Sequence, residues 1–476
     1  MLTDIRFWIL LCFILRLIGI TNPPLEVSHN WRQTLGTMVT RNFMEVDRNL
    51  LYPRIDIGGD HAGIAGMEFP LLSYGAYLMA LIFGYQHWYG RLLNLIVSSF
   101  GTYYFFCLVR DQLKCKRLAF YSTMVFLFSL WFSCSRKIMP DTLSMSFVIA
   151  ALYHGFRYLE SSAHHICYKR LDIVLFGVFS TCGMLTKLPS GYLLVILVLP
   201  FFLNQMGIAR RIVFAAVSLL SLGSTLAWFF YWVPHLESEH GVSHFFMGTG
   251  LISGFKALIE HLPLVSKRFY ETALKYIGFI LFLIGLGWSI VKRNRPILGM
   301  LLCCTPAFLA VMVVSGYNFA HHTYYVIPFV PVMALLAGAG IRAINHRGIV
   351  IALLAAVCIE GVSDQQHDFR IKPHNKRLLA LEADLDATCA RDALILVNGS
   401  GSPTALYFAH RRGWSLTNRA MAKKGQIKSL QRRGLERIVI LNNVLGATDM
   451  RLSLPVVLQR DAYTIYSIEI PRLRSE

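Results

Sequence analysis

Lys and Arg collect on every second loop between long apolar segments. That alternation limits what this chain can fold into more than any other feature. Apolar runs fill residues 7–20, 93–109, 118–132, 143–158, 171–185, 192–203, 212–233, 277–290, 297–314, 324–341 and 349–359, about eleven in all. A bilayer core of roughly 30 Å needs about 20 apolar residues per helix, so several of these runs need their flanks to cross it. Hydrocarbon offers backbone groups no partners, and only helices or closed barrels span it. The runs lack strand-like alternation, which leaves helices.

The basic loops are Arg110, Lys114, Lys116 and Arg117; Arg157, Lys169 and Arg170; Arg210 and Arg211; Lys292, Arg293 and Arg295; and Arg342 with Arg347. The positive-inside rule makes these cytoplasmic. Loops 21–90, 133–142, 186–190, 234–276 and 315–323 then face outward, with the N-terminus inside and the tail after Ser363 outside. This register forces one decision. If Phe69–Tyr85 crossed the membrane, the Arg110–Arg117 cluster would fall outside, so that segment is read as lying at, or re-entering from, the outer interface.

Only 15% of the 476 residues are charged, against about 25% in a soluble domain. The net charge of +19 would suggest nucleic acid in a soluble chain. Here it marks cytoplasmic loops that touch anionic lipid headgroups, with no nucleic-acid partner. Of ten cysteines, only Cys389 falls in the tail, so the tail builds no internal disulfide, and no Cys-x-x-Cys spacing suggests zinc. The apolar start lacks a small-residue cleavage site and reads as a retained first helix.

Composition shifts sharply at Ser363, where Asp364, His367, Asp368, Arg370, Lys372 and His374 replace the apolar run. Ala393–Val397 and Arg437–Leu441 read as strands, with helices at 378–385, 403–410 and 427–433. The predicted architecture is therefore a polytopic α-helical membrane protein with a small C-terminal α/β extracytoplasmic domain. Its parts are a transmembrane catalytic domain over residues 1–362, holding the long first outer loop 21–90, and the α/β domain over 363–476.

The outward loops carry the unusual chemistry. Glu68 opens Glu68-Phe-Pro-Leu-Leu, where a carboxylate meets the start of an apolar helix and either favours its dipole or serves a reaction. Asp141 follows Pro140 and leads a membrane helix, either as a cap or as a functional group at bilayer depth. Lys187 in Leu185-Thr-Lys-Leu-Pro-Ser either snorkels or holds a lipid phosphate. Asn318-Phe-Ala-His-His-Thr-Tyr-Tyr325 sets His321, His322, Tyr324 and Tyr325 at headgroup level, as an aromatic belt or as substrate contacts. In the tail, Asn398-Gly-Ser-Gly-Ser-Pro403 is a turn that could cradle phosphate, and Asn398-Gly-Ser400 fits a glycosylation acceptor.

Several of these motifs, in this order and on one side, resemble the GT-C superfamily of integral-membrane glycosyltransferases. They are His29-Asn-Trp-Arg-Gln33, Thr40-Arg-Asn-Phe43, Glu68-Phe-Pro70, Trp88-Tyr-Gly-Arg91, Arg136 with Pro140-Asp141, Thr186-Lys187, and the run from His321 to Pro331. The chain looks closest to the bacterial family-39-like branch, relatives of protein O-mannosyltransferases and of the aminoarabinose transferase acting on lipid A. The tail stretch Pro403–Trp414 looks like the outer domain appended in that branch.

The resemblance implies transfer of a sugar from a polyprenyl-phosphate carrier to a glycan, lipid or protein acceptor at the outer face of a bacterial inner membrane. The family implies a carboxylate in the first outer loop as base or acceptor-positioning group and an acidic residue in the second, with a divalent metal (Mg, Mn or Zn) in some members. Glu68 and Asp141 fall on matching positions, as catalytic groups and as metal ligands, and Lys187 falls where a phosphate contact is expected. Arg32, Arg41, Arg136, His321, His322, Tyr324 and Tyr325 are the further substrate-binding candidates. One departure stands out. The family places an Asp shortly after Trp-Arg-Gln, where this chain has Thr34 and Leu35. Glu26, Asp60, Glu68 or His29 is then left to supply the base.

The chemistry agrees with that class. A lipid-phosphate sugar is already activated, so no nucleotide cofactor is needed, and no Walker motif is present. Attack at the anomeric carbon needs a base for the acceptor hydroxyl, and the departing phosphate needs positive charge. The alternatives are a flippase for a lipid-linked glycan and an inactive relative that only binds the carrier. A flippase predicts ionisable groups near mid-helix and inverted repeats, whereas the groups here sit at loop ends.

Overall fold

The computed structural model describes residues 2–160, 166–243 and 246–468. The side chain of Lys169, named above, lies outside the described residues. Internal contacts divide the chain into two compact units. The first holds residues 1–20, 91–231 and 246–367, and the second holds 21–90, 232–245 and 368–476.

The first unit is helical. Five helices are long and apolar enough to cross a membrane among the described residues: Tyr89–Gln112, Ile208–His240, Arg295–Ser315, Thr323–Arg342 and Arg347–Phe369. Leu262–Ala273 and Lys275–Val291, bent by 97° against each other, make a sixth if counted as one span. Other apolar runs anticipated above fold as shorter or broken pieces, such as the 13-residue helix Lys116–Phe128 and the 3₁₀ segment Leu188–Leu197. Exposure separates the spans. The apolar window of Thr323–Arg342 is 94% buried, whereas that of Arg295–Ser315 is 22% buried and presents Leu302 and Leu309 outward, as a lipid-facing helix does.

The buried span is built on small residues. A Cβ on Gly340 would sit 2.2 Å from the carbonyl oxygen of Leu281, and one on Gly338 would sit 2.1 Å from Ser122 Oγ. Backbones of Val330–Arg342, Lys275–Val291 and Lys116–Phe128 therefore touch almost directly, the close approach that glycine and alanine permit between membrane helices.

Buried arginines finish the first helix, Ile5–Leu17. Arg136 donates from Nε to the carbonyl of Arg16 (3.1 Å) and from Nη2 to that of Ile18 (3.0 Å), and Arg91 donates to that of Ile20 (3.1 Å). These bonds satisfy carbonyls that a helix C-terminus leaves open. The 133–142 segment is not an open turn. Ser133–Met139 are all buried, and Asn94 Nδ2 donates to the carbonyl of Lys137 (2.7 Å) and to Thr142 Oγ1 (3.0 Å).

The second unit contains a five-stranded sheet in the order β2-β1-β3-β5-β4, with β1 Leu394–Val397, β2 Gly413–Ser415, β3 Leu435–Leu441, β4 Val456–Gln459 and β5 Tyr463–Ser467. β1 runs parallel to β2 and β3, and β5 runs antiparallel to β3 and β4. One face carries Ile395, Val397, Val439, Leu441 and Ile465, packed in one core with Met38, Val39, Phe43 and Ile55 of the long first loop. This shared core is why residues 21–90 cluster with the tail rather than with the helical unit to which the sequence reading assigned them. The opposite face packs Leu396, Trp414, Leu430, Ile438 and Tyr466. A Cβ on Gly59, whose φ is +64°, would lie 2.2 Å from Trp414 Nε1, so the first loop meets the indole only through a glycine. Within this unit Leu71–Phe83 forms a 13-residue helix, about 20 Å long and too short to span a bilayer core.

Candidate active site

Three segments of the helical unit begin at one polar point. Asp141 stands in the first turn of Pro140–Glu160, behind a proline whose missing N–H costs nothing there. Lys187 links the helix Ile166–Thr186 to the segment Leu188–Leu197. Its N–H donates to the Gly183 carbonyl (3.1 Å), and its own carbonyl accepts from Ser190 N–H (3.1 Å) and Ser144 Oγ (3.2 Å). Tyr324 and Tyr325 lie in the 3₁₀ turn Thr323–Phe329.

The side chains meet. Lys187 Nζ lies 3.8 Å from Asp141 Oδ1, 5.9 Å from the Tyr324 ring centre and 5.6 Å from that of Tyr325. Asp141 is 3% exposed, and its second oxygen, Oδ2, is buried without a hydrogen-bond partner. A largely covered ammonium, its side chain 12% exposed, between a carboxylate and two aromatic faces and next to an unsatisfied carboxylate oxygen, is a costly arrangement unless something binds there.

The histidine pair is split. His322 stacks with Tyr324 and Tyr325, at 5.4 and 5.9 Å between ring centres, and so lies on the lysine side. His321 turns the other way, stacked on Tyr317 at 3.8 Å and 4.8 Å from the ring of His261, with Nδ1 at 3.0 Å from the Tyr317 carbonyl. Arg136, a substrate-binding candidate by sequence, is fully buried on the carbonyls of the first helix.

In the second unit the remaining candidates have partners. Glu68 is ion-paired with Arg32, both side chains 12% exposed. Arg41 donates to Asp56 Oδ2 (2.7 Å) and to the Tyr407 carbonyl (2.9 Å) and lies over the Tyr407 ring, while Asn42 holds the other Asp56 oxygen (3.0 Å). Asp60 pairs with Arg433, whose Nε is 3.1 Å away, and this hydrogen bond holds its carboxyl below the usual aspartate range. Glu26 is fully buried and accepts from Gln33 Nε2 at 3.2 Å. His29 caps Asn30–Glu45 in the left-handed region (φ +61°), and its carbonyl takes the first helical bond. Thr34, which with Leu35 follows Trp31-Arg-Gln33, bonds Thr404 Oγ1 at 3.0 Å.

The metal expected from Glu68 and Asp141 does not fit these donors. Among the described residues no group of three His, Cys, Asp or Glu side chains could hold an ion, and Glu68 is already paired with a guanidinium. The tail's Asn398 is buried, with Nδ2 directed at the carbonyls of Leu441 and Thr448 and Oδ1 accepting from Leu441 N–H (2.7 Å), which removes it as a glycosylation acceptor. Asn94, Ser144 and His261 were not singled out from sequence. Asn94 had a readable signal, an amide inside an apolar run.

Residues 60–234 match the family model of dolichyl-phosphate-mannose-protein mannosyltransferases, a stretch that includes Asp60, Glu68, Asp141 and Lys187. No curated protein matches the chain by sequence. Among solved structures, ArnT from Cupriavidus metallidurans bound to undecaprenyl phosphate is similar at a TM-score of 0.59 and 13% identity, covering 98% of each chain. Archaeal oligosaccharyltransferase AglB from Archaeoglobus fulgidus, in complex with an inhibitory peptide and a dolichol-phosphate, is similar at 0.56 and 13%, over 92% of this chain and 69% of its own. The same oligosaccharyltransferase in complex with Zn and sulfate is similar at 0.57 and 12%, over 90% of this chain and 68% of its own. Over nearly its full length this chain therefore shares the fold of ArnT, and within its N-terminal half residues 60–234 are similar to the dolichyl-phosphate-mannose-protein mannosyltransferase family.

Proposed function

We propose that this protein is a glycosyltransferase that takes a sugar from a polyprenyl-phosphate carrier and passes it to an acceptor at the outer face of the membrane. The observation that carries the reading is the Lys187–Asp141 pair under Tyr324 and Tyr325, with Asp141 Oδ2 buried and unpartnered. Two relatives in the comparisons are described with a polyprenyl or dolichol phosphate, which supports the carrier class.

The phosphate of the donor binds at Lys187, replacing part of the charge that Asp141 supplies in its absence. The tyrosine faces and His322 line the same point. The acceptor oxygen attacks the anomeric carbon from the side opposite the phosphate. The bond from that carbon to the phosphate oxygen breaks, and the electron pair leaves on the phosphate, where the ammonium stabilises it. The acceptor proton passes to a base. Asp141, 3.8 Å from the lysine that holds the phosphate, lies on the leaving-group side and orients that ammonium, so the base on the attacking side is assigned to one of the sequence candidates Glu26, His29, Asp60 or Glu68. Attack opposite the leaving group inverts the anomeric configuration.

The test is reconstitution of the purified protein with a radiolabelled polyprenyl-phosphate sugar and an envelope extract as acceptor source. Release of free polyprenyl phosphate with label moving to an acceptor is expected. Label that changes sides of the membrane without release would instead establish a flippase, and binding with neither outcome a carrier-binding relative. Because one solved neighbour binds zinc, the assay is run with and without EDTA.

A further inference from the structure

The tail carries its charge unevenly. Residues 393–435 hold eight Lys and Arg and no Asp or Glu, whereas the rest of the stretch from 368 to 476 balances ten basic residues against ten acidic ones. Three of the eight are engaged. Arg411 is buried on Asp386, Arg412 donates to the His61 carbonyl (3.1 Å), and Arg433 pairs with Asp60. The other five, Arg419, Lys423, Lys424, Lys428 and Arg432, are exposed and form no ion pair among the described residues.

These five share one surface. The short helices Asn418–Met421 and Gln426–Arg432 turn Met421, Ile427 and Leu430 into the core on one face of the sheet and leave the cations outside. Arg419 and Lys423, Lys424 and Lys428, and Lys428 and Arg432 each stand four residues apart, a spacing at which like charges destabilise a helix. A surface charged only for solubility mixes both signs, as the rest of the tail does. The face also has a direction within its unit. Leu71–Phe83 packs Tyr77 into the core on the opposite face of the sheet and leaves Leu78, Leu81, Ile82 and Phe83 exposed, the apolar surface of a helix that lies in a membrane interface. The cations are thus turned away from the lipid-seeking surface. Residues 417–433 contain no Phe, Tyr or Trp, so the face lacks both the aromatic anchors of a protein interface and the stacking platforms of a nucleic-acid site. Recognition by repeated charge is what remains.

We propose that this basic face docks an extended anionic glycan from the extracytoplasmic space, one with a carboxylate or phosphate recurring along its length. The anionic character follows from the face alone, and the glycan character rests on the transferase reading. Cations four helical residues apart stand about 6 Å from each other, so a chain charged at every sugar meets several at once, while a single sugar acid meets one or two. Binding then grows with chain length and weakens with salt, because exposed charges are screened beyond about 10 Å at 0.1 M ionic strength. Such a face raises the concentration of the glycan at the protein without enclosing it in a pocket.

The test measures binding of fluorescent decagalacturonate, of its uncharged methyl ester and of single galacturonate to the full-length protein in phosphatidylcholine nanodiscs. The decamer should bind at low salt and be released at about 1 M salt, and the ester and the single sugar should each bind at least about tenfold more weakly. Lys428→Gln should weaken the decamer about fivefold, and Lys423→Gln, Lys424→Gln and Lys428→Gln together about a hundredfold, with thermal midpoints unchanged. Lys376→Gln removes an exposed cation outside the face and should change nothing. Lys187→Ala should bind the decamer as the wild type does, so a failure of the phosphate site and a failure of the docking face are told apart. The proposal is overturned if the decamer does not bind, if the ester or the single sugar binds as tightly, or if the triple variant binds the decamer like wild type. Capture of phosphatidylglycerol vesicles in preference to the decamer, lost in the triple variant, would assign the face to a lipid surface and overturn it as well.

Discussion

Asp141 in the helical unit and Asp56 in the second unit are both almost completely buried, 3% and 5% exposed. Asp56 is closed on every side: Arg41 on one oxygen and Asn42 on the other. Asp141 faces Lys187 at 3.8 Å, beyond hydrogen-bond length, and its Oδ2 has no bonding partner. Removing a carboxylate from water costs several kcal/mol, and a protein recovers that cost only by satisfying the charge. Asp56 is satisfied by the fold itself and so belongs to architecture. Asp141 is left incomplete, which is what a group that must exchange partners during a reaction requires. The second unit repeats the closed pattern at Asp384, also buried, which accepts from Arg460 and from the Tyr463 hydroxyl (2.7 Å).

That contrast can be broken from either side. The largest effect should come from Asp56→Ala, which leaves Arg41 buried without its counter-charge. A loss of about 3–5 kcal/mol in unfolding free energy is expected, with transfer per folded molecule retained. A small stability change with collapsed transfer would move Arg41 and Asp56 into the chemistry and end the comparison. Next comes Asp141→Asn, which should keep the thermal midpoint and cut transfer by about a hundredfold. Near wild-type turnover would reduce Asp141 to a helix-start residue. Lys187→Ala should then weaken donor binding and slow transfer together by about tenfold, since the contact exists before and during bond breaking. Lys187→Arg should restore only part, because a planar fork does not replace a compact ammonium.

The smallest effect sharpens the closed side. Asp60→Asn removes an exposed pair with Arg433 and should cost under about 1 kcal/mol. Its pH dependence has a fixed sign. Arg433 depresses the folded-state value, so the contribution is present above the unfolded aspartate value of about 3.9 and lost as pH falls through the depressed one. Thermal midpoints of wild type and variant should therefore converge only at strongly acidic pH. A gap that persists there, or that closes on the alkaline side, would assign the difference to something other than this ion pair.

Local chemistry made much of this legible. Period, length and loop charge gave the helical, membrane-embedded class, and the apolar runs at Ala393–Val397 and Arg437–Leu441 became β1 and β3. β2, β4 and β5 were not read. Gly413–Ser415 is three residues long and Val456–Gln459 is largely exposed, so neither carries a buried-strand pattern. For Asp141 and Lys187, residue type and position at helix ends were enough to single them out, and the fold then joined them. For Arg41 and Arg136, residue type did not tell which partners the fold supplies: Asp56 for the first and carbonyls of the first helix for the second. A buried arginine that caps carbonyls and one that holds a substrate look alike in sequence.

The sequence by itself determined that this chain lives in a membrane and which few polar residues stand at helix ends, because hydropathy and charge act residue by residue. Only the tertiary structure decided which carboxylate stays unsatisfied, that His321 and His322 face different neighbours, and that the long first loop shares a core with the tail. Those facts depend on contacts between segments tens to hundreds of residues apart, and the free energy of a buried charge is set by whichever distant group reaches it.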